Sequence, residues 1–590
     1  MQSSQIRNFS IIAHIDHGKT TLTDQLLRIT GTLTEREMTE RVMDSNPIEK
    51  ERGITIKLAP VRLNYKGYQL NLIDTPGHVD FGYEVSRSLA ACEGALLVVD
   101  ATQGIQAQTL SNYEKARALG LTIIPVINKI DLPAADPDRV ALDIIETFGI
   151  DERMIVKVSA KTGINIEGLL DAVIEHVPEP KGREEDPLRT LVFTSLYHPH
   201  KGVIAYVRVV DGVLTKERLR SMGTDNDFVP VELGLFSPSM IPVKELRAGE
   251  VGYIATGLKD VRQVRVGDTI TSTFTPAKEP LPGYKEPQPM VYMEFYPMEG
   301  DDFALLVDAM GKLALHDAAL QYQSTHSHAL GNGLRVGFLG ILHATIVQER
   351  LQNEYDLDLI ATSPSVRYKI KMRTGDEIEI HTPIEYPDPA GIQTVMEPVT
   401  ISTIFTPKEY LGAVMRLCET HRASLDSIEE HGVRVKVTYF LPLSELIVNF
   451  HDELKSVSSG FASLEYELFD FQEVDAVKLD VIVHFEKVEA LSQIVVRTEA
   501  EHIGRKLVKK LKEVIPRQNF EIAIQAAIGG KVVAREDLSG YRKDVTAGMY
   551  GGDITRRQKL LKKQVKGKKR MKEFGKVSLP QEAFLAVLER

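Results

Sequence analysis

The chain has 590 residues, 43% of them hydrophobic, and a formal net charge of −11 at pH 7, so several domains with full cores are expected. Cys92 and Cys418 are its only cysteines, which excludes a disulfide framework or a zinc site and indicates a reducing cytoplasm. No apolar run reaches the ~18 residues of a membrane span. A strand predicted within the first ten residues leaves no room for a signal or transit peptide, although a trimmed organellar chain would look the same.

The first predicted elements are an apolar strand over Phe9–Ala13, a glycine-containing loop and a helix that begins at Thr21. Strand, glycine loop, Lys-Thr and helix is the context of a P-loop, whose backbone N–H groups surround phosphate oxygens. The strict pattern has Gly where Ala13 stands, so a turn that merely contains Gly-Lys is the alternative for this motif taken alone. The predicted phosphate-binding residues are Asp16, His17, Gly18, Lys19, Thr20 and Thr21.

Two later segments each supply a possible ligand for a metal beside the phosphates. Thr55 lies in a polar, charged segment, which suits a loop that orders around a γ-phosphate and Mg²⁺. Asp74 ends the apolar strand predicted over Leu70–Ile73 and can lie beside the metal as a Walker-B Asp does. Because the Thr20 hydroxyl of the P-loop also ligates Mg²⁺, the predicted metal ligands are Thr20, Thr55 and Asp74.

The base of the nucleotide is predicted to bind at the ends of two further strands, Ile123–Ile127 and Met154–Val158. Open α/β sheets bind ligands at the carboxyl ends of their strands. Guanine presents N1–H and N2–H₂ side by side, and a carboxylate at Asp131 can accept from both, whereas adenine would leave it unpaired. The sequence therefore predicts GTP or GDP with Mg²⁺. The predicted base-binding residues are Asn128, Lys129, Ile130, Asp131, Ser159, Ala160 and Lys161.

The predicted fold class is multidomain α/β and α+β, with boundaries placed at proline-rich or charged linkers. Residues 1–182 alternate strands and helices, as a P-loop GTPase domain does, and residues 187–277 read as a β-barrel. The later predicted segments are a ferredoxin-like α+β domain at 288–364, a short connecting hairpin at 365–397, a second ferredoxin-like domain at 398–485, and a basic C-terminal α+β domain at 486–590.

The net charge is divided unevenly along the chain. From Lys487 to Arg590 there are 24 Lys and Arg against 12 Asp and Glu, so this part is basic within an acidic protein. A basic run is often only a solvated surface, but a helix predicted after it places this run inside a domain. Since no aromatic residues are interleaved, contacts with an RNA backbone are favoured over base stacking. The predicted RNA-binding residues are Lys562, Lys563, Lys566, Lys568, Lys569, Arg570 and Lys572.

Motifs at residues 13–20, 52–56 and 74–78 resemble those of the translational GTPases. Within that class, further motifs are similar to the elongation factor 4 (LepA) family: 84–94, 337–343, 355–360, 550–557 and 579–584. The resemblance spans essentially the whole chain. It implies a ribosome-dependent GTPase that moves tRNAs back by one codon, as a fidelity factor under stress. It also implies large-subunit rRNA and the tRNA acceptor arm as partners.

The same resemblance implies roles for three residues near the phosphates. His78 occupies the place where small GTPases carry the Gln that orients the attacking water, which makes it the expected catalytic residue. Ile15 and Ile54 match an apolar gate past which large-subunit rRNA moves this His. Slow intrinsic turnover with strong stimulation by ribosomes is therefore expected.

Other functions remain open on the residues alone. A BipA-type factor, a shortened elongation factor G, and an assembly or initiation GTPase share the nucleotide motifs. A different class of protein is also possible, namely an RNA-binding protein whose GTPase domain is a passive switch. The protein is expected to be a monomer and to have no DNA partner. A cytoplasmic, ribosome-associated location is favoured, with peripheral binding on the cytoplasmic side of the membrane as the alternative, since an anionic membrane surface is the rival polyanion.

Overall fold

The computed structural model describes residues 3–33, 48–49, 55, 58–77, 79–283, 288–317, 319–327, 330–431, 434–541, 558–559, 562 and 583. These residues form five sheet-based domains, which we number in chain order. Among them, no helix combines the length and apolar character that crossing a membrane requires.

The first domain is a six-stranded sheet with helices on both faces, in the order β2-β3-β1-β4-β5-β6. β2 pairs antiparallel with β3, and the other neighbours are parallel. The strands are β1 Ile6–Ala13, β2 Ala59–Tyr65, β3 Tyr68–Asp74, β4 Gly94–Asp100, β5 Thr122–Asn128 and β6 Val156–Lys157. The helices are α1 Lys19–Ile29, α2 Gly82–Ala90, α3 Ala107–Ala118, α4 Pro137–Phe148 and α5 Ile166–His176.

The central strand β4 shows why this sheet forms. All of its seven residues are buried, as expected of a parallel strand covered on both faces. Leu96 and Val98 pack into the core under α1 and α5, whereas Leu97 and Val99 pack into the core under α3 and α4. Since alternate side chains point to opposite faces, one apolar run supplies both cores.

The second domain is an eight-stranded antiparallel sheet in the order β11-β10-β16-β7-β8-β15-β12-β13, with β9 paired to β14. The pairing of β7 with β8 shifts register twice, and such bulges bend a sheet. Val192, Val207 and Ile254 are fully buried in its core. The strands are β7 Arg189–His198, β8 Gly202–Asp211, β9 Val213–Thr215, β10 Leu219–Ser221, β11 Asn226–Phe228, β12 Glu232–Ser237, β13 Ser239–Val243, β14 Glu245–Arg247, β15 Val251–Ala255 and β16 Thr269–Ser272.

The third domain has a four-stranded antiparallel sheet, in the order β18-β19-β17-β20, and two helices. The helices pack on the sheet through Leu306, Met310 and Leu351, all of them fully buried. The elements are β17 Val291–Pro297, α6 Phe303–Ala314, β18 Gln321–Ser327, β19 Gly331–Phe338, α7 Ile341–Tyr355 and β20 Leu359–Ala361.

The fourth domain is organised around one long strand, β23, which pairs with β21, β25 and β26. This strand crosses the boundary predicted between residues 397 and 398. The hairpin β21–β22, which was predicted as a separate connection, therefore extends the same sheet. It does so because β23 is long enough to pair with β21 as well as with β25 and β26. The elements are β21 Tyr368–Met372, β22 Glu377–Ile380, β23 Ile392–Pro407, α8 Leu411–Thr420, β24 Ser424–His431, β25 Arg434–Pro442, α9 His451–Val457 and β26 Ser463–Val474.

The fifth domain begins with β27, ten residues before the boundary predicted at residue 486, because β27 pairs with β28, β29 and β30. Its helix packs on the sheet through the buried residues Leu507, Val508 and Leu511. Ala583 is fully buried in the same core. The elements are β27 Ala476–Val483, β28 Glu486–Lys487, β29 Gln493–Val496, α10 Ala500–Val514, β30 Ile522–Ile528 and β31 Lys531–Leu538.

Polar contacts join the first domain to the fourth along α3. The Lys115 ammonium lies 2.9 Å from the Glu465 carboxylate on β26. Arg434, at the start of β25, donates to the carbonyl oxygen of Gln103 at 2.6 Å and to the Gln106 side chain at 3.1 Å. Burial lowers the pKa of Arg434 to about 10, so the guanidinium stays charged at neutral pH. The first domain contributes to this interface with α3 and with the loop between β4 and α3, which adjoins the site described next.

Candidate nucleotide-binding site

The loop between β1 and α1 turns at Gly18, the residue before the first turn of α1. Gly18 has a φ of +90°, a left-handed conformation that favours glycine. A Cβ at this position would lie 2.4 Å from the Asn128 side-chain nitrogen, so glycine is also needed for space. The N-terminus of α1 therefore lies at this turn, and the first N–H groups of a helix have no partner within the helix, as an anion-binding loop requires.

One amide, that of Asn128 at the end of β5, joins three parts of the site. Its nitrogen donates to the His17 carbonyl oxygen at 2.9 Å, and its oxygen accepts from the backbone N–H of Ala160 at 2.9 Å. Both hydrogen bonds are buried. The phosphate loop and the segment after β6 therefore keep a fixed separation.

Lys19 occupies the centre of the predicted metal-ligand set. Its ammonium donates to the Thr55 hydroxyl at 3.0 Å and to one oxygen of the Asp74 carboxylate at 2.7 Å. All three side chains are buried. The positive charge thus lies between two of the three side chains predicted to bind Mg²⁺.

The donor set suits a divalent cation. The second Asp74 oxygen is buried, and it has no hydrogen-bond partner among the residues that the structure describes. Carboxylate and hydroxyl oxygens are the ligands that Mg²⁺ takes alongside phosphates. Thr20 and Thr55 line the same cavity as Lys19, so the predicted ligands meet at one place. The cavity has a volume of about 230 Å³ and is lined by His14, Ile15, Asp16, Gly18, Lys19, Thr20, Thr21, Thr55, Gly77 and Lys129.

The end of the site predicted to bind the base is held by side-chain contacts. The Ser159 hydroxyl donates to the Asp131 carboxylate at 2.7 Å and so orients it. Asp131 itself is exposed. Lys129 donates to the Asp16 carbonyl oxygen at 2.6 Å, and its ammonium also lies 2.7 Å from the Asp100 carboxylate. Lys161 is exposed and Ile130 is half-buried beside them.

Asp100 is a residue of this site that the sequence analysis did not identify. It ends β4, at the same edge of the sheet as Asp74, and this position is the signal that could have found it. Burial alone would raise the pKa of its carboxyl. Hydrogen bonds from Lys129 and Thr102 outweigh burial, and the pKa of Asp100 is lowered. The carboxylate is therefore ionised at neutral pH and holds Lys129 against the phosphate loop.

The His17 side chain points into the protein and not toward the cavity. Its Nδ1 lies 3.2 Å from the Val98 carbonyl oxygen, and burial lowers the pKa of the imidazole to about 3. His17 is therefore neutral and contributes its backbone carbonyl to the site.

Several predicted site residues lie outside the described part of the chain. His78 and Ile54 are among them, whereas their predicted neighbour Ile15 is half-buried in the cavity wall. Of the seven basic residues predicted to bind RNA, the structure describes Lys562, which is helical and exposed. The predicted residues outside the described ranges are Ile54, His78, Lys563, Lys566, Lys568, Lys569, Arg570 and Lys572.

Four protein-family profiles match successive parts of the chain. Elongation factor Tu GTP binding domain matches residues 4–179, and Elongation factor Tu domain 2 matches residues 202–271. Elongation factor G C-terminus matches residues 394–482, and GTP-binding protein LepA C-terminus matches residues 483–589. A crystal structure from Thermus thermophilus has a TM-score of 0.58 at 19% identity, covering 80% of this chain and 97% of its own, which shows the fold alone.

Full-length relatives carry the comparison further. Elongation factor 4 of Symbiobacterium thermophilum is 53% identical over 590 residues, covering 99% of this chain and 98% of that protein. Elongation factor 4 of Acetivibrio thermocellus is 53% identical over 598 residues, covering 100% of this chain and 99% of that protein. That of Clostridium novyi is 53% identical over 590 residues, covering 99% and 98%.

The predicted multidomain fold class and the predicted resemblance are both confirmed by these matches. A first domain that matches the GTP-binding domain of elongation factor Tu makes the chain a GTP-binding translation factor whose class hydrolyses GTP. The chain belongs to the elongation factor 4 family of translational GTPases.

Proposed function

We propose that this protein is a ribosome-dependent GTPase that hydrolyses GTP to GDP and phosphate. We further propose that it promotes one-codon back-translocation of tRNAs, as a fidelity factor under stress. The observation that carries the GTPase proposal is the buried contact of Lys19 with Thr55 and Asp74 beside the turn at Gly18. A cation, a carboxylate and a hydroxyl together at the N-terminus of a helix suit the binding of phosphates and a metal.

Different residues would bind the metal and the phosphates of GTP. Thr20, Thr55 and Asp74 would hold Mg²⁺, which when bound neutralises negative charge on the phosphates. Lys19 exchanges its contacts with Asp74 and Thr55 for the β- and γ-phosphates. That exchange frees both oxygen ligands at the moment when the nucleotide enters. Binding therefore replaces one buried cation–carboxylate contact by others and leaves no buried charge unpaired.

The partners we propose are the ribosome, with its large-subunit rRNA, and the tRNA acceptor arm. The basic segment after residue 555 carries 11 Lys and Arg up to residue 576, which suits a phosphate backbone. We propose a cytoplasmic, ribosome-associated protein. Peripheral binding to the cytoplasmic face of the membrane is the second possibility, because an anionic membrane surface is also a polyanion.

The test of the proposed function is GTP turnover with and without ribosomes, followed by tRNA positions on ribosomes after GTP addition. We expect slow turnover alone, strong stimulation by ribosomes, and tRNAs displaced backward by one codon. Turnover that ribosomes do not change would instead favour an RNA-binding protein with a passive GTPase switch. Stimulated turnover without tRNA displacement would favour an assembly or initiation role.

The choice of guanine is tested at Asp131. The substitution Asp131→Asn should weaken GTP binding and improve binding of xanthosine triphosphate, whose oxygen at C2 matches the new amide donor. A hydrogen bond to a charged group is worth about 1.5–3 kcal/mol, so a loss of about 10- to 150-fold in GTP affinity is expected. Calorimetry with both nucleotides measures the exchange. Equal GTP affinities for wild type and variant would contradict this role of Asp131.

Asp100 supplies a second test, because it holds the Lys129 ammonium beside the phosphate loop. Asp100→Asn should lower GTP affinity about tenfold, since one charge-assisted hydrogen bond is weakened. The matched control is Asp138→Asn, which removes an exposed Asp–Lys pair with Lys157 in the same domain and should leave affinity unchanged. A loss of the same size in the control would show that the effect is not specific to Lys129.

The pH dependence of stability has a defined sign at Asp100. Because its pKa is lowered in the folded protein, its contribution is full above the unfolded Asp pKa of about 3.9 and is lost as the pH falls below that value. Unfolding measured across this range should therefore depend less on pH in Asp100→Asn than in wild type.

A further inference from the structure

A second cavity lies at the boundary between the fourth and fifth domains. Its volume is about 930 Å³, and none of its lining residues lines the nucleotide site. Small-molecule sites commonly occupy about 300–1,000 Å³ and often lie between domains. The size and position of this cavity are therefore those of a ligand site.

The strand β27 supplies one wall of this cavity with charged side chains. Val477, Leu479 and Val481 are buried in the core of the fifth domain, whereas Lys478 and Asp480 line the cavity. Successive side chains of a strand point to opposite faces of its sheet. The alternation that builds the core thus also places a lysine and a carboxylate at the cavity.

A second lysine joins them from the neighbouring strand β28. Lys487 pairs with Ile482, two residues after Asp480, so its side chain lies on the same face as Lys478 and Asp480. The Lys487 ammonium lies 2.9 Å from one Asp480 oxygen, and the Lys478 ammonium lies 3.9 Å from the same oxygen. This lysine pair, Lys478 and Lys487, therefore shares a single carboxylate and carries one positive charge in excess.

The excess charge is poorly solvated at Lys478. Only 15% of this side chain is exposed. Burial, and then the positive charge of Lys487, lower the pKa of Lys478 against the attraction of Asp480. An oxyanion in contact with both ammonium groups would offset their repulsion through charge-assisted hydrogen bonds. Titratable groups perturbed in this way within a cleft are typical of binding sites.

A third cation comes from the fourth domain. Arg373, in the turn between β21 and β22, lines the same cavity. Its Nε donates to the Ile392 carbonyl oxygen at 3.2 Å, and its guanidinium has no carboxylate partner among the residues that the structure describes. Because a guanidinium has five N–H donors, this one bond leaves others for an oxyanion.

Acidic side chains also line the cavity, and two of them have partners of their own. The Asp475 carboxylate lies 2.9 Å from the guanidinium of Arg497. Asp388 accepts from the backbone N–H of Ala390 at 2.9 Å, within its own turn. Glu473 is exposed on β26, where solvent screens its charge. Asp480 is thus the carboxylate that faces the lysine pair.

Hydrogen bonds hold the walls of the cavity in place. The Tyr386 hydroxyl of the fourth domain donates to the Ala476 carbonyl oxygen of the fifth at 2.8 Å. The backbone N–H of Arg373 donates to the Gly391 carbonyl oxygen at 2.8 Å. The cavity is therefore pre-formed, as small-molecule sites usually are.

We propose that this cavity binds a small phosphate-bearing ligand, with Lys478, Lys487 and Arg373 as its cationic contacts. A phosphate group has several acceptor oxygens and suits a site with two ammonium groups and a guanidinium. A small ligand is favoured over an RNA strand because Lys478 is largely enclosed. The proposal is independent of the proposed GTPase function, since the two sites share no residue.

Calorimetry with inorganic phosphate tests the site in the full-length protein, after one equivalent of a non-hydrolysable GTP analogue has filled the nucleotide site. We expect one phosphate per chain. Lys478→Met and Lys487→Met should each lower the affinity by about 10- to 150-fold, because each removes a charge-assisted hydrogen bond. Ribose 5-phosphate is the second probe: tighter binding than phosphate identifies a phosphate ester as the ligand, and weaker binding identifies the free ion. Failure of both probes to bind at millimolar concentration would overturn the proposal.

The matched control is Lys512→Met. The Lys512 ammonium lies 2.6 Å from the Glu536 carboxylate, in the fifth domain and away from the cavity. This variant makes the same change of charge and should bind phosphate as wild type does. An equal loss of affinity in the control would reduce the effect to net charge and would refute the site.

Thermal unfolding separates binding from a structural role of Lys478. Without phosphate, Lys478→Met should melt no lower than wild type, because Asp480 keeps Lys487 and the repulsion is gone. Phosphate should raise the melting temperature of wild type and not that of the variant. Lys478→Arg keeps a cation and should recover part of the affinity. A Lys478→Met protein that melts lower yet binds phosphate normally, or a Lys478→Arg protein that binds no better than Lys478→Met, would contradict the proposal.

A single-stranded RNA oligonucleotide tests the other source of phosphate groups. Its affinity should be the same for wild type and Lys478→Met, and inorganic phosphate should not displace it from the basic segment after residue 555. If Lys478→Met weakens RNA binding and leaves phosphate binding unchanged, the lysine pair belongs to an RNA surface and the small-ligand site is refuted.

Discussion

Gly18→Ala is expected to reduce GTP affinity by about 30- to 4,000-fold, which corresponds to about 2–5 kcal/mol, while the first domain remains folded. The φ of +90° costs a non-glycine residue roughly 1–2 kcal/mol. The new Cβ would also lie 2.4 Å from the Asn128 amide nitrogen, so that side chain must move. Its hydrogen bonds to the His17 carbonyl and the Ala160 N–H are each worth about 0.5–1.5 kcal/mol. Strain and two lost bonds together displace the loop that surrounds the phosphates.

The control for Gly18→Ala is Gly149→Ala in the same domain. Gly149 follows α4, has a φ of +66°, and has nothing within 4 Å of the position of a Cβ. It therefore carries a similar backbone strain without the collision. Calorimetry should give nearly wild-type GTP affinity for Gly149→Ala, with circular dichroism confirming that both variants fold. Wild-type affinity in Gly18→Ala would show that the Asn128 contact is dispensable for nucleotide binding.

The first domain was predictable because its signals are local. β1, β3 and β5 each contain a largely apolar segment that is followed directly by polar residues with a defined chemistry, so the strand ends also located the motifs. Predicted and observed strands differ at their ends, and β1 begins at Ile6 and not at Phe9. The strand includes the buried side chain of Asn8, which is tolerated there because it is hydrogen-bonded to Gly249 and Asn71. A buried polar residue of that kind is invisible to an apolar pattern.

The parts that could not be predicted depend on contacts between distant segments. Asp100 is one acidic residue among many until the structure places Lys129 beside it. The pairing of the β21–β22 hairpin with β23 follows from register, which a linear pattern does not contain. The Asp80 carboxylate caps α7 by accepting from the backbone N–H of Leu342, 262 residues away in the sequence, so this cap is apparent only once both domains are in place.

His78 lies between two points that the structure does define. Gly77 lines the cavity that holds Lys19 and Thr55, and Asp80 is fixed to the N-terminus of α7. His78 itself follows Gly77 directly in the sequence. Ile15, which lines the same cavity, matches one of the two gate residues implied by the family resemblance. The role of His78 in orienting the attacking water stays a prediction from the family resemblance.

His78→Ala is expected to bind GTP normally and to lose most ribosome-stimulated turnover, by about 10²- to 10⁴-fold, the range for removal of a positioned catalytic group. Binding should be retained because the groups proposed to bind the phosphates, metal and base lie elsewhere. Intrinsic turnover without ribosomes should change much less, since the resemblance implies that rRNA brings the imidazole into place. Single-turnover GTP hydrolysis with and without ribosomes measures both quantities. His176→Ala, in the last turn of α5, is the control and should match wild type. Stimulated turnover that survives in His78→Ala would assign the water-orienting role to another group.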